Sequence, residues 1–179
     1  MDKVIEVYDN VLDRPYMELL YPRCKTRSYN IGWGDPNEFS IPRGTSLYSR
    51  IENDELLDFG FLNKINNKDL LEKIDGREPI ESVINCTTYS DVYLPHTHSN
   101  TDVLLCYVNL EWRQEWWGES EFYSDDLKET ILTNQYVPGR VVWFDGDIPH
   151  SIKPQAHIGP KYRFSLSIFF HRENKIRGY

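Results

Sequence analysis

From Pro79 onward the chain is cut into short strand-like runs by turn-forming residues, and few folds accept that rhythm. The runs are 80–89, 92–94, 103–110, 120–123, 135–137, 141–144, 151–153 and 163–171. The punctuation between them falls at Pro95, Ser99-Asn100, Trp117-Gly118, Asp125-Asp126, Pro138-Gly139, Asp145-Gly146 and Gly159-Pro160. About eight short strands at this spacing predict a mostly β fold with supporting α structure. The expected architecture is a jelly-roll barrel, a double-stranded β-helix, and not alternating β/α units. No internal repeat, low-complexity tract or linker divides the 179 residues, a length that suits one domain with a substantial core.

Residues 1–79 read as helical support and loops ahead of a jelly-roll core over 80–171. Residues 4–8 alternate as a short strand. Asp9 and Asn10 offer caps, Pro15 suits a first helical turn, and a helix is expected from Pro15 to about Tyr21, ended by Pro22. Residues 28–50 are rich in Gly, Pro, Ser and Asn and predict an ordered loop with one short strand near 45–48. Apolar stripes at Leu56, Leu57 and Phe61, then at Leu70, Leu71 and Ile74, predict amphipathic helices over 52–62 and 67–74, the second capped by Asn66 or Asn67.

A net charge of −8 with no Lys/Arg stripe argues against nucleic acid as a partner, because backbone binding needs clustered cations. The basic residues near the C-terminus (Lys161, Arg163, Arg172, Lys175, Arg177) read as a solvated end. The first residues are acidic and alternating, unlike a signal peptide, and no apolar run reaches membrane-span length. A soluble, intracellular, cytoplasmic protein is expected. Cys24, Cys86 and Cys106 form no CxxC pattern, and in apolar runs a reduced cysteine acts as a small hydrophobe.

Chemistry concentrates between His96 and Ser165. His96 and His98 stand at i and i+2, so on a strand they share one face, and Pro95 and Ser-Asn-Thr place them where a strand opens into a loop. His150 follows another turn, Asp147-Ile-Pro149, and can reach the same point from a neighbouring strand. Imidazoles suit Fe, Zn, Cu and Ni; a closed structural zinc site wants four ligands, usually with Cys, so an open catalytic site fits better. His157 and His171 are not expected as ligands. Arg163 lies among Tyr162, Phe164, Leu166 and Ile168, where an arginine is costly unless paired. Either it pairs with a protein carboxylate such as Asp145 or Glu121, or it captures a ligand carboxylate with Ser165 and Tyr107 beside it. The residues alone leave both readings open.

Over residues 80–171 the pattern resembles the Fe(II)- and 2-oxoglutarate-dependent oxygenases, in their prolyl-hydroxylase-like branch of phage and bacterial type. The matching stretches are His96-Thr-His98, Tyr107-Val-Asn109-Leu-Glu-Trp112, Trp117-Gly118-Glu119 against a Gly-Gly-Glu-like turn, Ile148-Pro-His150 and Arg163-Phe-Ser165. The resemblance implies a dioxygenase that hydroxylates a peptide, amino acid or small molecule while 2-oxoglutarate is decarboxylated to succinate. It implies Fe(II), 2-oxoglutarate and O2 as cofactors, with ascorbate as an accessory reductant. His96, His98 and His150 would bind the metal, and Arg163, Ser165 and Tyr107 the co-substrate. Where the family carries Asp two residues after the first histidine, this chain carries His98. A three-His site, a register shift that brings in Asn100 or Asp102, and an unused carboxylate position are the options. The approach Tyr93-Leu-Pro-His96 favours the first, with Asp102 as an outer partner that restores charge.

A cupin-type metalloprotein that uses no 2-oxoglutarate, whether dioxygenase, isomerase or binding module, is the competing reading, as is a barrel whose altered triad serves as a scaffold. Arg163-Phe-Ser165 speaks against a plain cupin. Trp116 and Trp117 read as aromatic packing at the barrel rim or as walls of the substrate entrance. Substrate identity and oligomeric state are not legible in the sequence.

Overall fold

A computed structural model describes residues 3–31 and 47–172. Two antiparallel sheets face one another. The larger runs in the order β1 (Ile5–Tyr8), β8 (Val141–Asp145), β5 (Thr101–Tyr107), β10 (Arg163–His171), β4 (Pro79–Thr87), β3 (Leu47–Ile51) and β2 (Asn30–Ile31). The smaller runs β7 (Thr130–Asn134), β6 (Ser120–Tyr123) and β9 (His150–Ile152). The fold is the mostly β jelly roll that the strand rhythm predicts.

The central strand β10 explains the layering. It is buried on both faces up to Phe170 and divides its residues by parity, as a pleated strand must. Phe164, Leu166, Ile168 and Phe170 pack into a core shared with the helices α1 (Arg14–Lys25), α2 (Asn53–Phe59) and α3 (Lys68–Ile74). Fully burying one such side chain contributes about 1.5–3 kcal/mol. Ser165, Ser167 and Phe169 point the other way, into the space between the sheets. There Val83, Val103, Leu105, Phe122 and Phe144 make a second, smaller core around a cavity. Small polar residues on one parity leave room for a cavity on one side of the sheet, while large apolar residues on the other fill the side that faces the helices.

Several boundaries depart from expectation for identifiable reasons. Helix α1 does not stop at Pro22 but carries it internally and continues to Lys25. The proline withholds its N–H only from the carbonyl of exposed Glu18, where water can replace it. Thr26 closes the helix, its N–H and hydroxyl both donating to Pro22 O at 3.1 and 3.0 Å. Asp13, not Asp9 or Asn10, caps its start by accepting from Tyr16 N at 2.8 Å. The helix expected over 52–62 breaks at Gly60, whose φ of +64° ends α2, and a short 3₁₀ turn follows at Leu62–Lys64. Helix α3 starts where Asn67 caps it, accepting from Leu70 N at 2.9 Å.

Residues 92–94 and 135–137 are not strands, and β7 at Thr130–Asn134 was not anticipated because its residues are mostly exposed. Residues 1–79 supply more than helices: β1, β2 and β3 extend the larger sheet. Residues 32–46, most of the expected loop over 28–50, lie outside the described residues, as do Lys175 and Arg177.

Candidate metal centre and its buried arginine

The first histidine sits on the shortest possible strand. His96 and His150 form an isolated antiparallel bridge, with His96 N donating to His150 O and His150 N donating to His96 O, both at 3.0 Å. This single bridge is all that remains of a strand at that edge, and it fixes two imidazoles side by side. His98, two residues on, donates its N–H to Gly146 O at 2.7 Å. The three rings converge: centroids are 4.5 Å (His96–His150), 5.0 Å (His96–His98) and 5.1 Å (His98–His150) apart. One nitrogen from each lies within 4.8 Å of the other two, close enough to hold one ion.

Backbone carbonyls select the tautomers. His96 Nδ1 lies 3.1 Å from Leu94 O and His150 Nδ1 lies 2.8 Å from Ile148 O. A carbonyl can only accept, so each Nδ1 carries hydrogen and each Nε2 offers its lone pair. Burial pushes the His98 ring down to about 4, with His96 adding to the effect. Burial also pushes His150 well below the usual imidazole range, with His96 and then His98 adding. Both are neutral at pH 7, the form that ligates.

Their depressed values have a consequence for the metal-free protein. The unfolded chain, with histidines near ~6.5, binds more protons than the folded one between about pH 4 and 6.5, so stability rises with pH across that window. Urea midpoints near about pH 4.5 and about pH 7 measure it, and the difference shrinks in His98→Gln. A midpoint no higher at neutral pH, or a difference untouched by the substitution, contradicts the assignment.

Gly146 is where this end of the site tolerates least change. A Cβ added there would meet His98 O and Thr101 Oγ1 at 2.4 Å each, and both belong to the turn that carries His98. Gly146→Ala is therefore expected to destabilise the protein by about 1–3 kcal/mol and to weaken metal binding. Thermal melts and metal titration read both effects; a wild-type melt with wild-type metal affinity contradicts the expectation.

Arg163 is fully buried. Its Nε donates to Gly118 O at 3.0 Å, and its guanidinium carbon stands 4.7 Å from the Tyr136 ring centroid and 5.3 Å from that of Tyr107. Both Nη atoms are buried with no hydrogen-bond partner, and so is Ser165 Oγ. The protein-carboxylate reading of Arg163 fails among the described residues. Asp145 faces Arg172 at 3.9 Å, and Glu121 is paired with Lys153 at 2.8 Å. The Tyr107 hydroxyl donates to Ser120 Oγ at 2.9 Å and accepts from Asn134 Nδ2 at 2.6 Å.

A cavity of ≈630 Å³ runs from the histidines to Ser120 and Ser165. The three histidines, Ser120 and Ser165 line it, while Arg163 and Tyr107 do not. Ser165 is paired across the sheet with Tyr107, whose hydroxyl touches Ser120, so Arg163 and Tyr107 lie one layer beneath that part of the wall. Trp116 and Trp117 do not border this cavity and so do not form its entrance.

Asp102 does not serve the metal. Parity turns it to the far face of β5, where Arg77 reaches it at 2.8 Å and Arg172 at 3.4 Å. Arg172 also pairs with Asp147, so it is no solvated tail residue. His157 stacks on Tyr89 with centroids 3.8 Å apart, and His171 is exposed; neither joins the cluster.

Sequence reasoning missed Tyr136, Asn134 and Ser120. Tyr136 Oη lies 2.8 Å from Asn109 Oδ1 and 2.5 Å from Phe164 O, and it accepts from Asn109 N at 2.8 Å. Asn109 Oδ1 in turn accepts from Phe164 N at 2.7 Å. This clamp registers the start of β10 and thereby Arg163. No local spacing signals it, because its members are distant in sequence.

The sequence matches no protein-family model and no curated protein. Solved structures do resemble it. A Pseudomonas putida prolyl-4-hydroxylase superposes with a TM-score of 0.73 at 18% identity, covering 96% of this chain and 94% of that one. A Trichoplax adhaerens prolyl hydroxylase, solved with a hypoxia inducible factor peptide fragment, gives 0.70 at 16% identity over 93% and 83%. HygX from Streptomyces hygroscopicus, solved with nickel, 2-oxoglutarate and hygromycin B, gives 0.67 at 11% over 96% and 84%. What these likenesses establish is the fold: the chain is a jelly roll of the kind that prolyl hydroxylases and HygX share.

Proposed function

We propose that this protein is an Fe(II)- and 2-oxoglutarate-dependent dioxygenase that hydroxylates a peptide or small-molecule substrate. One observation carries the reading. A fully buried arginine with two unpartnered Nη atoms lies in the same barrel as three convergent imidazoles. An isolated buried cation is costly, and a bidentate carboxylate is what its planar fork fits. Ser165 Oγ, equally without a partner, supplies a further donor. The fold neighbours agree, since one was solved with nickel and 2-oxoglutarate and another with a peptide.

The residues present fit both groups. His96, His98 and His150 would hold iron through three neutral nitrogens, which leaves positions open for other ligands. Arg163 and Ser165 would hold the distal carboxylate of 2-oxoglutarate, with Tyr107, whose hydroxyl donates to Ser120, positioned beside Arg163. Bound iron supplies the oxidative chemistry, in which 2-oxoglutarate and O2 are converted to succinate and CO2 and the substrate gains a hydroxyl. The Nδ1–H bonds to Leu94 O and Ile148 O keep two rings oriented without occupying their ligating nitrogens. Val103, Leu105, Phe122 and Phe144 wall the cavity with apolar surface and limit water around the reacting centre. Residues 1–79 and 80–171 act as one folding unit in this reading, because the helices share a core with β10.

Anaerobic titration of Fe(II) and 2-oxoglutarate tests the proposal. It expects a weak visible charge-transfer band that needs both additions, and succinate on admitting O2. A protein that binds metal but shows neither band nor succinate is a cupin-type metalloprotein or a scaffold instead.

A further inference from the structure

Trp117 occupies a backbone conformation that a bulky residue rarely adopts: φ 56°, ψ −143°. This region belongs almost entirely to glycine, and residues held there against their preference cluster at functional sites. The position matches the first glycine of the Gly-Gly-Glu-like turn that the sequence resembles, so tryptophan here works against the turn. The side chain does not compensate by burial, since it is 58% exposed. What it does is wall a second, smaller pocket of ≈120 Å³ with Trp112, Tyr136 and Glu119, where Gln114 and Gln135 add amides.

The wall is held in place. Trp112 Nε1 donates to Trp117 O at 2.8 Å, and Trp117 bridges to Gln155 in antiparallel fashion. Trp112 packs on Tyr136 with centroids 4.3 Å apart. Glu119 brings a carboxylate to the pocket, and its Oε2 is buried with no hydrogen-bond partner. Lys153 feels the Glu119 charge but makes its 2.8 Å ion pair with Glu121, and no hydrogen bond reaches Glu119 Oε2. Arg163 stands 4.7 Å from the Tyr136 ring centroid, and its Nη atoms make no hydrogen bond to Glu119.

We propose that this pocket, lined by the indoles of Trp112 and Trp117, binds a methylated or quaternary ammonium group, with Glu119 as counter-charge. Indole faces attract cations, most strongly where water is excluded, and methylated ammonium groups are recognised by aromatic cages. A cavity on the order of 150 Å³ accepts benzene, so this one matches a single ammonium head group in size. The site is separate from the cavity that the histidines line, and it does not depend on the dioxygenase reading.

The test is a titration of the full chain with choline, with its neutral isostere 3,3-dimethylbutanol, and with a trimethyllysine peptide, followed by tryptophan fluorescence. Saturable binding of choline or the peptide is expected, with a dissociation constant on the order of 1 mM; the tighter of the two names the source of the cation. The isostere binds at least tenfold more weakly, and Glu119→Gln loses a comparable factor. Trp117→Gly separates recognition from packing: it relieves the backbone strain, so the melting temperature holds or rises while cation binding is lost. Absence of saturable binding, equal binding of the isostere, or a lowered melting temperature in Trp117→Gly would overturn the proposal.

Discussion

Arg163→Met is expected to stabilise the ligand-free protein and, in the same molecule, to remove its affinity for 2-oxoglutarate. The two effects have one cause. In the free protein the guanidinium is fully buried, makes a single hydrogen bond to Gly118 O, and leaves two Nη atoms without partners. Replacing buried charge with apolar volume is commonly neutral or stabilising by about 1–4 kcal/mol. The stacking of Arg163 on Tyr107 and Tyr136 reduces the gain but does not reverse its sign, since such contacts contribute about 0.5–2 kcal/mol. Losing the buried partner of a carboxylate costs about 2–5 kcal/mol of binding, roughly 30- to 5000-fold in Kd. Thermal melts with and without 2-oxoglutarate read both. A variant that melts lower than the wild type without co-substrate would mean that Arg163 is a structural cation.

The second large effect separates His98 from Asp102, two of the three residues, with Asn100, that the sequence leaves open for the carboxylate position of the oxygenases it resembles. His98→Ala removes one of three converging nitrogens. Even changes to outer partners of metal ligands cost about 10- to 100-fold in metal affinity, so a ligand is expected to cost at least about 100-fold. His96→Ala and His150→Ala are expected to match it. Asp102→Asn is expected to leave metal affinity alone and to destabilise the fold by about 3–5 kcal/mol, because it strips a buried carboxylate from Arg77 and Arg172. Metal titration and urea denaturation of the four variants give the answer. If Asp102→Asn loses metal while His98→Ala keeps it, the ligand set is wrong.

Much of the site is local, and the local parts were legible. His96-x-His98 states its own geometry, because strand parity puts both rings on one face. The turn before His150 marks a strand end, and an arginine among Phe164, Leu166 and Ile168 announces a buried cation in need of a partner, without saying whether protein or ligand supplies it. The strand rhythm after Pro79 gave the fold class for the same reason, since turn residues act over a few positions. The illegible parts are non-local. Asp102 and His98 lie four residues apart, and only the pairing of β5 with β8 and β10 shows that they face opposite ways. Tyr136 joins the site through Asn109 and Phe164, residues far from it in the chain. Pro22 looked like a helix end because local propensity says so, and Thr26 overrules it by capping the helix later.

The most direct measurement is a crystal structure of the protein grown with Mn(II) and N-oxalylglycine, an unreactive analogue of 2-oxoglutarate. The account predicts one ion contacted by Nε2 of His96 and His150 and by a ring nitrogen of His98, with the analogue's far carboxylate on both Nη atoms of Arg163 and near Ser165. An ion bound without His98, or an analogue whose carboxylate lies away from an Arg163 that still has no partner, would contradict it.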